Sequence, residues 1–265
     1  MIEITDFEEV TQIKMSLEAE GKPVYWVAAY LVDGLLIDTG CPHTAGELVA
    51  ALEGRKLDLV VNTHYHEDHV GADCAIMERF GVPVLAHRDS VPLIGRVPDL
   101  NPYQEFVWGC PRPAEVGVLG AEVDTGRFSF EVIETPGHSA GHVALFEREK
   151  GWCFSGDIFI TEKPRVIRAD EDAVRLMDSM RMLAGLPSDR LVLFTSMGRI
   201  VKDGRAALLA CADYLQELMD RVRGLQRQGL TPLEIKERVF GEGSSLAAMT
   251  GGHFSSDNLV ASLMS

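Results

Sequence analysis

The chain has 265 residues, of which 46% are hydrophobic and 25% charged, and its formal net charge is −15. That length and balance suit one large globular domain, or one domain with a small appendage, with enough chain to bury a substantial core. The acidic excess repels phosphate at a distance, so no nucleic-acid partner and no anionic membrane partner is expected.

The opening MIEITDFEEV has no basic stretch ahead of an apolar run, so no signal peptide is expected. From Ile13 to Asp38 the pattern is strand-like. Val24 to Tyr30 is apolar and partly β-branched or aromatic, Asp33-Gly34 is a hairpin signal, and Leu35-Leu36-Ile37 resumes the run. Thr44 to Leu52 reads as a helix with Ala45, Leu48, Val49 and Leu52 on one face. Leu57 to Val61 reads as a buried strand, Ala72 to Phe80 as a helix and Val82 to Ala86 as a strand. Residues 88–120 carry several prolines and read as an irregular insertion. Strand character returns at Phe128–Glu134, Val143–Glu147, Trp152–Ser155 and Leu191–Phe194, with a helix at Asp170–Leu186. From Lys202 the pattern is helical: Ala206–Leu225 is amphipathic, Thr231-Pro232 starts a helix with Glu234 completing a capping box, and Ser256–Leu263 is a last short helix. No apolar run reaches the roughly 18 residues of a membrane span. Cys41, Cys74, Cys110, Cys153 and Cys211 are odd in number and scattered, with no Cys-x-x-Cys pair. Reduced thiols in a cytoplasm are therefore expected, not a disulfide framework.

The chemistry concentrates in Asn62-Thr63-His64-Tyr65-His66-Glu67-Asp68-His69. Three histidines and two carboxylates follow a buried strand directly. A strand end is rigid and opens into a loop, so it can aim several side chains at one point. Neutral imidazole and carboxylate are complementary ligands for zinc, iron or manganese. Three further positions repeat the pattern of strand, sharp turn and metal-binding side chain: Asp38 in Ile37-Asp38-Thr39-Gly40, His138 in Thr135-Pro136-Gly137-His138, and Asp157 in Phe154-Ser155-Gly156-Asp157. Each alone is weak, since an Asp before Gly is usually a turn residue.

Asp, then His-x-His-x-Asp-His, then His, then Asp resembles the metallo-β-lactamase superfamily, from about Val24 to Gly198. The run Thr-Pro-Gly-His-Ser-Ala-Gly-His followed by Phe-Ser-Gly-Asp is similar to its glyoxalase II and small hydrolase branch. The resemblance implies an α+β fold, a four-layer αββα sandwich. With the pattern above, the expected organisation is that sandwich over residues 1–201, the 88–120 insertion near the substrate mouth, and a C-terminal helical extension over 202–265 packed on it. It implies that His64, His66 and His138 hold one metal, that Asp68 and His69 hold a second, and that Asp157 bridges them. Asp38 would orient the ligands. Asp68 and Asp157 would be the catalytic carboxylates beside a metal-activated water.

One departure accompanies the match. The family usually carries another histidine after a late strand, where this chain has Met197, and a thioether is a poor ligand for zinc or ferrous iron. One or two divalent ions are then open, with His253 in Gly251-Gly252-His253 the candidate substitute; His87 and His142 are weaker ones, His142 reading as structural or as a group that supports the ligands. The expected function is hydrolysis of a small ester, thioester or lactone. The alternatives are a mononuclear iron oxygenase acting on a persulfide and a degenerate ligand-binding member. Tyr103, Phe106, Val107, Trp108 and Arg112 either contact such a substrate or pack the insertion. The amphipathic tail is compatible with a monomer or a homodimer.

Overall fold

The computed structural model describes residues 1–241 and 245–265, so positions 242–244 of the expected helical tail lie outside the described residues. The chain divides into two compact units. The first comprises residues 1–134, 140–157 and 188–202, and the second 135–139, 158–187 and 203–265.

In the first unit, β1 (Ile2–Phe7) and β2 (Val10–Met15) precede a small hairpin, β3 (Glu18–Ala19) and β4 (Lys22–Pro23). Then come β5 (Val27–Val32), β6 (Leu35–Ile37), β7 (Leu59–Val61), β8 (Val84–Ala86) and β9 (Gly117–Val118). One sheet has the order β1-β2-β5-β6-β7-β8-β9. Pairs β6–β7 and β7–β8 are parallel. Parallel neighbours require crossovers, supplied here by α1 (Ala45–Leu52) and α2 (Asp73–Phe80).

β5 is buried along its whole length because both faces are covered. Its alternate residues divide cleanly. Val27, Ala29 and Leu31 pack with Leu48 and Leu52 of α1 and Ile76 of α2. Ala28, Tyr30 and Val32 face Phe130, Leu145, Phe154 and Phe194.

Those last residues belong to a second sheet, built from β10 (Glu122–Asp124), β11 (Ser129–Glu134), β12 (Val143–Glu147) and β13 (Trp152–Gly156). After β14 (Ile167–Arg168) of the second unit, β15 (Val192–Thr195) and β16 (Ile200–Val201) complete it, in the order β10-β11-β12-β13-β15-β16. Phe154 and Phe194 stack at 4.6 Å between centroids, and Tyr30 meets both edge-on at 5.4 Å. This aromatic layer joins the two sheets.

The insertion at 88–120 is more ordered than expected. It contains α3 (Val91–Ile94), α4 (Pro102–Val107) and β9. Asn101 and Gln104 form a reciprocal cap around Pro102, a signal that the count of prolines obscures. β1 is a strand that the sequence pattern does not announce, because its residues are mostly exposed and carry little apolar alternation.

The second unit contains α5 (Ala173–Ala184), α6 (Gly204–Arg227), α7 (Pro232–Phe240), α8 (Ser245–Met249), β17 (Phe254–Ser255) and α9 (Ser256–Met264). The amphipathic spacing of α6 buries Leu208, Cys211, Leu215, Met219 and Val222. The Thr231–Glu234 capping box opens α7 as its sequence indicates. Strands β14 and β17 pair antiparallel. Among the described residues no helix is long and apolar enough to cross a membrane. All five cysteines are free thiols.

Candidate metal centre

In the first unit, the chemistry-bearing side chains lie at the carboxyl ends of β6, β7 and β13. Asp38 follows β6 directly and adopts φ +60°, an uncommon conformation for a residue with a side chain. Its fixed partners sustain that conformation. Asp38 N–H donates to Val61 O (2.9 Å). Asp38 Oδ1 accepts the Thr63 N–H (2.7 Å), and Oδ2 accepts the Thr63 hydroxyl (2.9 Å). His69 Nδ1 stands 2.8 Å from Oδ2. A carboxylate acceptor at Nδ1 places the hydrogen there and turns Nε2 toward the opposite side. Asp38 thus holds the Nδ1 side of the His69 ring.

His69 Nε2 faces Asp157 Oδ1 at 3.4 Å and Asp68 Oδ2 at 3.9 Å. His64, His69 and Asp157 each offer a ligand atom, and the three atoms lie within 4.8 Å of one another. His64 Nε2 is 2.9 Å from His66 Nδ1. His64, His66 and His69 are buried, while Asp68 and Asp157 side chains are 12% and 16% exposed.

Asp157 is set by two neighbours. Its N–H donates to His142 Nε2 (3.1 Å). A Cβ on the preceding Gly156 would stand 2.5 Å from His142 Nε2 and 3.0 Å from Thr63 Oγ1, so only glycine permits this approach. His142 is buried and meets Asp157 through the backbone.

Charge supports a cation. Burial raises Asp68 to about 7, with the Glu67 and Asp157 carboxylates adding to the rise and His69 opposing it. Burial would lower His69, yet Asp38, Asp68 and Asp157 together carry it well above its usual value. Several carboxylates crowded in low dielectric need a positive centre. With metal–ligand bonds of about 2.1 Å, ligand atoms around one ion sit up to about 4 Å apart, which is the range of spacing found among these donors. The donor set therefore fits a divalent metal.

The remaining expected residues fall as follows. Met197 is half-buried in the turn after β15. His87 Nε2 pairs with Glu134 Oε1 at 3.2 Å. In the second unit, His138 is buried and its Nδ1 lies 2.5 Å from Glu171 Oε1. His253 is half-buried ahead of β17; its N–H donates to Thr250 O and its carbonyl accepts from Asn258 Nδ2 (2.9 Å). Among the described residues His253 belongs to no group of converging metal-binding atoms.

The insertion residues differ in their surroundings. Trp108 is buried, and Tyr103 and Val107 pack with it on the apolar cluster around α1 and α2. Arg112 pairs with Glu78 at 2.8 Å. Phe106 is 63% exposed. The insertion is tied to the ligand loop by Gln104 Nε2, which donates to the buried Glu67 (2.7 Å). Sequence reasoning gave no role to Thr63, Gln104 or Glu171, since a single polar residue carries no distinguishing pattern of its own.

Residues 27–195 match the family described as the metallo-beta-lactamase superfamily. A hydroxyacylglutathione hydrolase of Thermosynechococcus vestitus is 31% identical over 158 residues, covering 59% of this chain and 56% of that protein. A second hydroxyacylglutathione hydrolase, from Bdellovibrio bacteriovorus, is 33% identical over 44% of this chain and 41% of its own length, so the chain spans about half of these relatives. A probable metallo-hydrolase of Bacillus subtilis is 29% identical over 65% of this chain and 80% of that protein. Among solved structures, a metallo-beta-lactamase family protein from Thermus thermophilus superposes with TM-score 0.65 at 18% identity, over 96% of this chain and 91% of that one. A metallo-beta-lactamase from Pontibacter korlensis gives TM-score 0.64 at 21% identity, over 82% and 99%. With the family match spanning most of the chain and the ββ core and ligand-bearing strand ends in agreement with it, this chain belongs to the metallo-beta-lactamase superfamily.

Proposed function

We propose that the protein is a metal-dependent hydrolase of a small thioester, ester or lactone. The observation that carries this reading is the convergence of His64, His69 and Asp157 within 4.8 Å, beside the largely shielded Asp68. The similarity to hydroxyacylglutathione hydrolases supports the choice of an acyl substrate. In this reading His64, His66 and His138 hold one ion, and His69, Asp68 and Asp157 are the donors offered to a second. Met197 removes a ligand from that second position, so a single tightly held ion is the expected state.

When bound, the metal would supply a water acidic enough to attack at neutral pH and would polarise the substrate carbonyl. The chain's own residues do the rest. Asp38 holds Nδ1 of His69, and His142 fixes the backbone at Asp157. Asp68, mostly shielded from solvent, would take the proton given up by the attacking water. The Gln104–Glu67 bond keeps the insertion against the His-rich loop, and Phe106 is one of the insertion's exposed apolar side chains.

The test is metal content by plasma mass spectrometry on untagged protein, followed by turnover of a hydroxyacylglutathione, simple acyl esters and lactones. Metal-dependent hydrolysis of one of these classes is expected. Absence of hydrolysis by fully loaded protein, or oxygen consumption with a persulfide and bound iron, would overturn the reading.

A further inference from the structure

Pro136-Gly137-His138 sits against the N-terminal end of α5. Ser179 Oγ donates to Pro136 O (2.7 Å), and Asp172 N–H donates to Gly137 O (2.8 Å). Gly137 has φ +128°, and a Cβ there would stand 2.5 Å from Leu176 N. In this tight seat Glu171 reaches His138: Oε1 lies 2.5 Å from Nδ1, and the two side chains are 9% and 5% exposed. The other oxygen, Oε2, accepts the Arg168 N–H at 2.8 Å. Both carboxylate oxygens are thus engaged in a nearly dry environment, where such bonds are short and directional.

The segment bearing Arg168 is itself held by the end of the chain. Arg168 pairs with Phe254 and Ile167 with Ser255 in the β14–β17 ladder. Asn258 Nδ2 donates to Ile167 O (3.2 Å). Ser262 Oγ accepts from the N–H of Ala173, the first residue of α5 (2.8 Å). The connections run from residues 254–262 through β14 and the start of α5 to Glu171, and from Glu171 to His138.

We propose that Glu171 is a positioning residue for metal binding, which fixes the His138 tautomer by accepting its Nδ1 hydrogen, and that the segment 254–262 holds Glu171 for that task. A neutral imidazole carries one hydrogen, and a carboxylate at Nδ1 puts it there. The lone pair then belongs to Nε2, the ring is held at one angle, and its basicity rises. The C-terminal segment, in this account, contributes to the centre by fixing a carboxylate and not by donating His253. The inference rests on His138 being a ligand, as proposed above.

The test is zinc affinity of the full chain, by competition with a chromophoric chelator, for wild type, Glu171→Gln and His138→Ala. Long-range nitrogen–proton spectra of the zinc-loaded wild type accompany it. Glutamine keeps the volume but offers one acceptor oxygen to two donors, His138 Nδ1–H and Arg168 N–H, so its amide group must face one of them. Glu171→Gln is expected to weaken zinc about 10- to 100-fold, and His138→Ala at least as much. The wild-type spectrum is expected to show the His138 hydrogen on Nδ1 and the metal on Nε2. Unchanged affinity in Glu171→Gln together with a large loss in His138→Ala would overturn the role of Glu171 alone. Unchanged affinity in His138→Ala would overturn the ligand assignment, and the inference with it. If Glu171→Gln does not fold, the wild-type spectrum decides, since a hydrogen on Nε2 would overturn the proposal unaided.

Discussion

Asp73 offers a test of the scaffold that does not depend on the metal ligands. It is the first residue of α2 and fully buried. Its Oδ1 accepts the Thr39 hydroxyl (2.8 Å) and its Oδ2 accepts Asn62 Nδ2 (2.6 Å), so it joins the two loops that follow β6 and β7. Burial raises its pKa from 3.8 to about 7; the Thr39 and Asn62 bonds oppose that rise and the charge of Asp38 adds to it. The folded state therefore holds this proton more tightly than the unfolded chain, whose carboxyl titrates near 4. Stability from the protonated group is full below pH ~4, is lost as pH rises, and levels off above pH ~7. A shift of about 3 units corresponds to about 4 kcal/mol. Asp73→Asn removes the titration and keeps the shape. Among the described residues Asn62 Oδ1 makes no hydrogen bond, so the Asn62 amide can turn to accept from the amide introduced at position 73. Urea denaturation of both proteins across pH 4 to 9 measures the difference in unfolding free energy, from which effects common to both drop out. The variant should gain on wild type as pH rises, by up to about 4 kcal/mol, and then run parallel above pH ~8. A difference that stays flat with pH, or falls, would refute the assignment of a buried, proton-retaining carboxyl at the junction of these loops.

Other outcomes follow from the site and the core. His66→Ala and Asp157→Ala should each lose metal and hydrolysis together, and normal turnover by metal-free His66→Ala protein would exclude a metal-activated water. Met197→His should raise metal content toward a second equivalent by plasma mass spectrometry; no rise would mean that the turn after β15 does not present this side chain to the centre. Phe194→Ala removes the ring stacked 4.6 Å from Phe154 in the layer between the sheets and should cost about 3–5 kcal/mol in chemical denaturation. Gly137→Ala drives a Cβ to 2.5 Å from Leu176 N at φ +128° and should lower both melting temperature and zinc affinity; an unperturbed protein would show that the Pro-Gly-His turn is not seated on α5.

What the sequence made legible depended on whether the physics was local. The β5 run Val27–Val32 announces a strand covered on both faces because every residue is apolar, and the Thr231–Glu234 box announces α7 because the two residues cap each other. The ligand loop was legible for the same reason: three histidines and two carboxylates within six residues have no ordinary structural use. Glu171 is the opposite case. It lies 33 residues from His138, beside a helix cap, in a sequence where any acidic residue would look like a favourable charge at a helix start. Its meaning comes from Gly137, whose missing Cβ lets the Pro-Gly-His turn settle on α5, and from β17, which holds the strand that fixes Glu171. Asp73 is similar, since only the fold brings Thr39 and Asn62 to its two oxygens. Residues with metal-binding chemistry, and Asp38 beside them, were legible from their own side chains; partners such as Thr63 and Glu171 emerged only from the chain's path. The proposed ligand set, with Met197 where the family usually has histidine, is therefore better judged by measuring what loss of Asp38, His142 or Glu171 does to metal affinity than by counting histidines.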